Sequence, residues 1–190
     1  MSAEQLATRS PRADAVRNRD RLVRAARTSL AARGGEASME EIARAAGVGV
    51  GTLYRHFPRR IDLVEAVYRE DVDALVLLAD TVATDLEPWP SLVAWLHGFV
   101  RYAQAKRNFL NELHEAFEKT PDLALSSRER IFGAAGKVLV RAQQNGSARP
   151  DMCAADLMQL VSGMCMAHNI TLEQNQRLLL LVLDGIKAQP

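Results

Sequence analysis

The chain has 190 residues, 48% of them hydrophobic and 25% charged, the balance of one or two globular domains with a true core. That excludes disordered and fibrous classes. The net charge of +1, from 24 Lys and Arg against 23 Asp and Glu, taken whole argues against a polyanion partner. The total hides a division, because residues 1–60 carry 12 basic and 6 acidic side chains whereas residues 61–190 carry 12 and 17. A basic segment joined to an acidic remainder points to a polyanion-facing part attached to something else. Every cation of the first segment is Arg, and the first Lys is Lys106.

Cys153 and Cys165 have no CxxC pair and no His at zinc-finger spacing, so neither a disulfide framework nor a metal site is expected. Both are read as buried thiols of a reducing cytosol. The polar start and the short apolar run at 178–183, against the roughly 20 residues that span a bilayer, predict a cytoplasmic chain with no membrane partner.

Prolines at 58, 88, 90, 121 and 150 divide the chain into stretches of helical period. Strand signals are nearly absent. Asp14 is expected to cap a first helix with the apolar face Val16, Val23, Ala26 and Leu30, ending at Gly34-Gly35. Ser38-Met39-Glu40-Glu41 is a capping box. The helix it starts bears Ile42 and Ala45-Ala46 and stops at Gly47, a left-handed C-cap position. Gly47 and Val48 lead into a short helix over 49–57, closed by Pro58. Two short helices about a glycine-bearing turn make a helix-turn-helix unit, whose second member is the reading helix.

A long amphipathic stretch from Leu63 to Leu86 follows, long enough to connect two domains. Trp89 and Pro90 open a helix with Leu92, Trp95, Phe99 and Tyr102. Further helices are expected over Phe109 to Phe117, 122–144, 151–170 and 174–188. The last two are apolar around most of their circumference, which calls for cover on more than one side. A second copy supplies it, so a homodimer through 153–170 and 174–188 is expected, its symmetry matching a two-fold DNA site. A purely intrachain core is the alternative.

The string SMEEIARAAGVGVGTLYRHFPRRIDLVEAV, residues 38–67, resembles the DNA-binding domain of the tetracycline-repressor (TetR) family of transcriptional regulators. The likeness runs over about residues 14–68, and AAGVGVGTLYRHFP followed by a basic residue and Leu is its specific part. The helices read along the chain make an all-α fold of about nine helices, which the resemblance fits. A three-helix helix-turn-helix DNA-binding domain over 14–60 precedes a helical effector-binding and dimerisation domain over 61–190. The resemblance implies a one-component regulator, a repressor that binds a palindromic double-stranded DNA operator and is released by a small apolar or amphipathic effector. The alternative is a DNA-compacting protein without sequence preference, or an adaptor.

The DNA-facing set is read as Ser38, Gly49, Val50, Gly51, Thr52, Tyr54, Arg55, His56 and Arg60. Gly49 and Gly51 each weaken a helix by about 1 kcal/mol relative to Ala, so they serve either turn geometry or close approach to a partner. Thr52 offers a hydroxyl to phosphate or a methyl to thymine. Tyr54 and His56, by the resemblance, contact the DNA backbone, while Leu53 and Phe57 face inward. Arg55 suits base readout at guanine, with a phosphate clamp as the other reading. Arg60 stands where the family usually has a phosphate-binding Lys.

Arg9, Arg12, Arg17, Arg19, Arg21 and Arg24 form a charge cluster that is either a solvated face or a phosphate-facing one. Arg9 and Arg12, ahead of the first helix, are placed to enter a minor groove. The chain departs from the family pattern at Leu30 and Gly35, where aromatics are usual, and at Gly49 and Val50, where Ser and Lys are frequent.

The effector pocket implied by the family is assigned to Trp95, Phe99, Tyr102, Phe117, Met164 and His168, with Phe109 and Met158 beside them. Each is equally readable as core. The sequence has no GxSxG, P-loop, dinucleotide turn or HExxH, so no enzyme, cofactor or metal is expected.

Overall fold

Glycine, proline and capping residues set the helix boundaries, as seen in a computed structural model that describes residues 11–167 and 170–188. Among the described residues there are nine α-helices: α1 (Pro11–Arg33), α2 (Met39–Ala46), α3 (Val50–His56), α4 (Arg60–Asp85), α5 (Pro88–Lys106), α6 (Leu110–Lys119), α7 (Pro121–Gln144), α8 (Ala154–Met166) and α9 (Leu172–Ile186). Single 3₁₀ turns occupy Gly34–Glu36 and Arg107–Phe109. The only extended pairing among the described residues is one isolated bridge between Ala148 and Lys187. The expected all-α class is the one found.

The capping box forms in full. The Ser38 hydroxyl oxygen accepts the Glu41 N–H at 3.2 Å, and the Ser38 N–H donates to the Glu41 carboxylate at 3.0 Å. Gly47 closes α2 at φ 61, the left-handed conformation that glycine adopts without a Cβ penalty. Pro88 and Pro121 open α5 and α7, where the missing N–H costs nothing.

Helix α4 lies at the centre, packed against α1, α5, α6 and α7. Its buried face, including Val64, Val67, Val72, Leu75 and Ala79, belongs to one continuous core with α1 and α5. Within that core the Trp95 indole is fully buried and donates to the Leu75 carbonyl at 3.1 Å.

Several expectations are corrected. Val16 is 59% exposed, and the core face of α1 is Leu22, Val23, Ala26 and Leu30. In α2 the buried small residues are Ala43 and Ala46, with Ala45 exposed. Cys153 is exposed at the head of α8, whereas Cys165 is buried and burial pushes its thiol up to about 11. Arg12 lies inside α1 rather than ahead of it, and Arg9 lies outside the described residues.

Where the first three helices meet the rest, Gly34 has φ 55 and the Asn108 carbonyl oxygen would stand 1.8 Å from a Cβ placed there. The Asn108 amide donates back to the Ala31 carbonyl. This close approach is possible only at glycine.

Candidate nucleic-acid interface and effector cavity

Helix α3 is rooted by Leu53 and Phe57, both buried, and presents Val50, Gly51, Tyr54 and Arg55 outward, with Thr52 and His56 half-buried. Gly51 and Arg55 are four apart and share one face, as do Val50 and Tyr54. Nothing lies within 4 Å of a Cβ built on Gly51, and Gly49 meets only the Thr52 hydroxyl at 4.0 Å. Neither φ is positive, so the chain's own packing requires neither glycine. Arg55 makes no ion pair or hydrogen bond among the described residues.

The Tyr54 hydroxyl donates to Glu40 at 3.1 Å, and that bond raises the phenol above its ordinary pKa. Glu40, named in the sequence only within the capping box, thus holds the Tyr54 side chain. At the start of α2 the Ser38 hydroxyl oxygen is engaged by its cap. Arg33 pairs with Glu41 at 2.7 Å and, with the Ser38 N–H, lowers the Glu41 carboxyl to about 2.

Arg60, read as a phosphate contact, is held by partners within the chain. Its guanidinium donates to the carbonyls of Ala37 and Gly34, the latter at 3.1 Å, and pairs with Glu112 at 3.2 Å. It ties the start of α4 to the turn after α1 and to α6. Arg59, next to it, is the exposed cation, paired with Asp62 at 3.0 Å. Arg59 first and Lys119 second hold the Asp62 carboxyl down to about 2.

The α1 arginines divide by partner. Arg21 donates to the Gly47 carbonyl at 3.1 Å and so braces the helix-turn-helix turn. Arg19 pairs with Glu70 at 3.2 Å and lies 5.7 Å from the Phe57 ring centre. Arg17 pairs with Asp14. Arg12 and Arg24 are exposed and make no ion pair among the described residues.

A second feature is a cavity of about 270 Å³ between α4, α5, α7 and α8, lined by Tyr68, Phe99, Tyr102, Arg128, Ile131, Phe132, Met158, Gln159 and Ser162. Phe99, Tyr102 and Met158 are brought together as expected. Trp95 is instead core, and Phe117 packs edge-on against Tyr68 with ring centres 5.2 Å apart. Met164 faces a separate groove with Leu160, Leu178 and Leu181 between α8 and α9. His168 lies outside the described residues.

The lining from α7, Arg128, Ile131 and Phe132, is not among the pocket residues expected from the sequence. Its signal was present in the sequence, since Arg128 and Phe132 are four apart on one helix face. Burial raises the Tyr102 phenol, with Tyr68 and Asp71 adding to the shift, so it stays a neutral hydrogen-bond donor.

Comparison with known proteins decides the family. Residues 22–67 match the model of bacterial regulatory proteins of the tetR family, and residues 87–188 match the C-terminal domain of SbtR-like transcriptional regulators. The chain belongs to the TetR family of transcriptional regulators. It is 34% identical to the TetR transcriptional regulator SCO0520 of Streptomyces coelicolor, covering 90% of this chain and 99% of that one with a TM-score of 0.81. A TetR transcription regulatory protein of Mycobacterium vanbaalenii is 31% identical, with 94% and 100% covered and a TM-score of 0.75.

Among curated relatives, the HTH-type transcriptional regulator SAR0097 of Staphylococcus aureus is 38% identical over 52 residues. The matched part spans 27% of each chain, about a quarter of that relative's length. TetR-family proteins are regulators rather than enzymes. No helix among the described residues is long and apolar enough to cross a membrane.

Proposed function

We propose that this TetR-family protein is a homodimeric, cytoplasmic repressor that reads a two-fold operator through α3 and leaves it when an effector fills the cavity. The observation that carries the reading is the face of α3. Gly51 and Arg55 stand together, exposed and unused by the chain's own packing. There the backbone can approach DNA and the guanidinium can reach the O6 and N7 of guanine. Val50, Thr52, Tyr54 and His56 flank that face, with Gly49 and Ser38 at the two helix starts, where phosphate contacts fix orientation.

The functional division falls at about residue 60, with 14–60 on the DNA side and 61–190 on the effector side, and α4 serves both. From Tyr68 in the cavity to Arg60 is about 12 Å along the helix. A shift of α4 at the cavity therefore reaches the carbonyls of Gly34 and Ala37 through Arg60. Release follows only if the effector binds the released state more tightly than the DNA-bound one.

Leu160, Leu172, Leu180 and Leu181 are exposed on α8 and α9, an apolar surface suited to a second copy. Such a dimer sets two α3 helices about one DNA turn apart, near ~34 Å. Selection of bound fragments from random DNA, followed by binding across a salt series, tests the reading. A palindromic consensus with half-sites about a turn apart is expected. Equal affinity for all sequences would overturn it in favour of compaction.

A further inference from the structure

We propose that the cavity takes a monocarboxylate with an aromatic body, its carboxylate against Arg128 and its ring among Tyr68, Phe99, Tyr102 and Phe132. This rests on the effector role proposed above and specifies the ligand's chemistry. Arg128 is the one charged side chain lining the cavity, and no carboxylate pairs with it among the described residues. Its guanidinium carbon lies 4.9 Å from the Phe132 ring centre, which fixes the cation beside the aromatic wall. Gln159 and Ser162, one turn apart on α8, add neutral donors to the same lining. An anion at this point gains charge-assisted bonds that a neutral group lacks.

The four rings would by themselves also suit a cationic ligand. Two of them are already taken. The Lys106 ammonium lies 4.5 Å from the Tyr102 ring centre, and Arg128 covers Phe132. An incoming cation meets the Arg128 guanidinium and no carboxylate on the lining, while the Lys106 ammonium behind Tyr102 is paired with Asp71. A volume of about 270 Å³ limits the body to one ring or two fused rings on a short linker, small for a ligand site. Offset or edge-on packing against Phe99 and Tyr68 suits such a ring.

The test is calorimetric titration of the full-length protein, without DNA, with cinnamate and naphthaleneacetate. The matched neutral probe is cinnamyl alcohol, and the cationic one is phenyltrimethylammonium. The carboxylates are expected to bind about tenfold or more tighter than the alcohol, with no binding of the ammonium. Arg128→Gln, at an exposed position, should remove that preference and leave the unliganded melting temperature unchanged. Ile131→Trp, which takes up part of the cavity, should weaken binding of all probes. Equal affinity for acid and alcohol, a preference that survives Arg128→Gln, tighter binding of the ammonium, or no binding by either carboxylate would each overturn the proposal. The titration contains no DNA, so its failure leaves the operator reading standing, and failure of the operator selection leaves the ligand result standing.

Discussion

Lys106 on α5 and Asp71 on α4 form an ion pair whose lysine is only 3% exposed. Asp71 also accepts from the Arg27 guanidinium on α1, so one carboxylate of α4 ties that helix to both α1 and α5. Lys106 in turn covers the face of Tyr102, which lines the cavity. Burial pushes the Lys106 ammonium down from its ordinary pKa, Asp71 pulls it back up, and Arg27 again opposes it.

Asp71→Asn leaves that ammonium buried without its counter-charge, and the expected loss of stability is about 3 kcal/mol near neutral pH. A lysine whose folded pKa lies below its unfolded value binds fewer protons when folded, so stability rises as pH climbs toward the unfolded pKa. Removing Asp71 lowers the folded value further and steepens that rise. The deficit of the variant should therefore shrink between about pH 7 and about pH 10, as read by urea denaturation across that range. A deficit independent of pH would show that Lys106 is not its source.

Gly51→Ala separates folding from DNA binding. Open space surrounds the added methyl, and Ala exceeds Gly in a helix by up to about 1 kcal/mol, so the melting temperature should rise slightly. Affinity for the selected operator should fall if, as proposed, the methyl stands where the backbone approaches DNA. A variant that binds DNA as well as the parent would remove Gly51 from the interface.

Arg60→Ala and Arg55→Ala should differ in kind. Loss of the Arg60 bonds to Gly34, Ala37 and Glu112 is expected to cost about 1–2 kcal/mol of stability, with the salt dependence of DNA binding unchanged. Arg55→Ala should leave stability within about 0.5 kcal/mol and relax preference at one base position per half-site. Denaturation and fragment selection on both variants check this. A flattened salt slope for Arg60→Ala would restore that side chain to phosphate.

These differences mark what the sequence carries. The Ser38 box and the Gly47 cap are legible because all their partners lie within a few residues. The partners of Arg60 lie 23, 26 and 52 positions away, and no local pattern distinguishes such a residue from one held out to phosphate. Met164 and Met158 are read together at the implied pocket, yet six residues on a helix are about 240° of rotation, which sends Met158 to the cavity and Met164 to the α8–α9 groove. Lys106 follows Phe99 and Ala103 at helical spacing. A charge in an apolar stripe is a sequence signal for a buried ion pair.

Leu181 tests the dimer surface. It is 66% exposed on α9 and lines the groove with Leu160, Met164 and Leu178. In a single protomer Leu181→Glu disturbs no buried contact, so folding should be unaffected. In a dimer it places a charge in the interface, and sedimentation should show monomer at micromolar concentration. Operator affinity should then fall by about 100-fold or more, since two linked half-site contacts become independent. Leu77, 63% exposed on α4, is the control: Leu77→Glu should leave both association and DNA affinity as they are. Dimer retained in Leu181→Glu, or lost equally in Leu77→Glu, would move the interface away from α9.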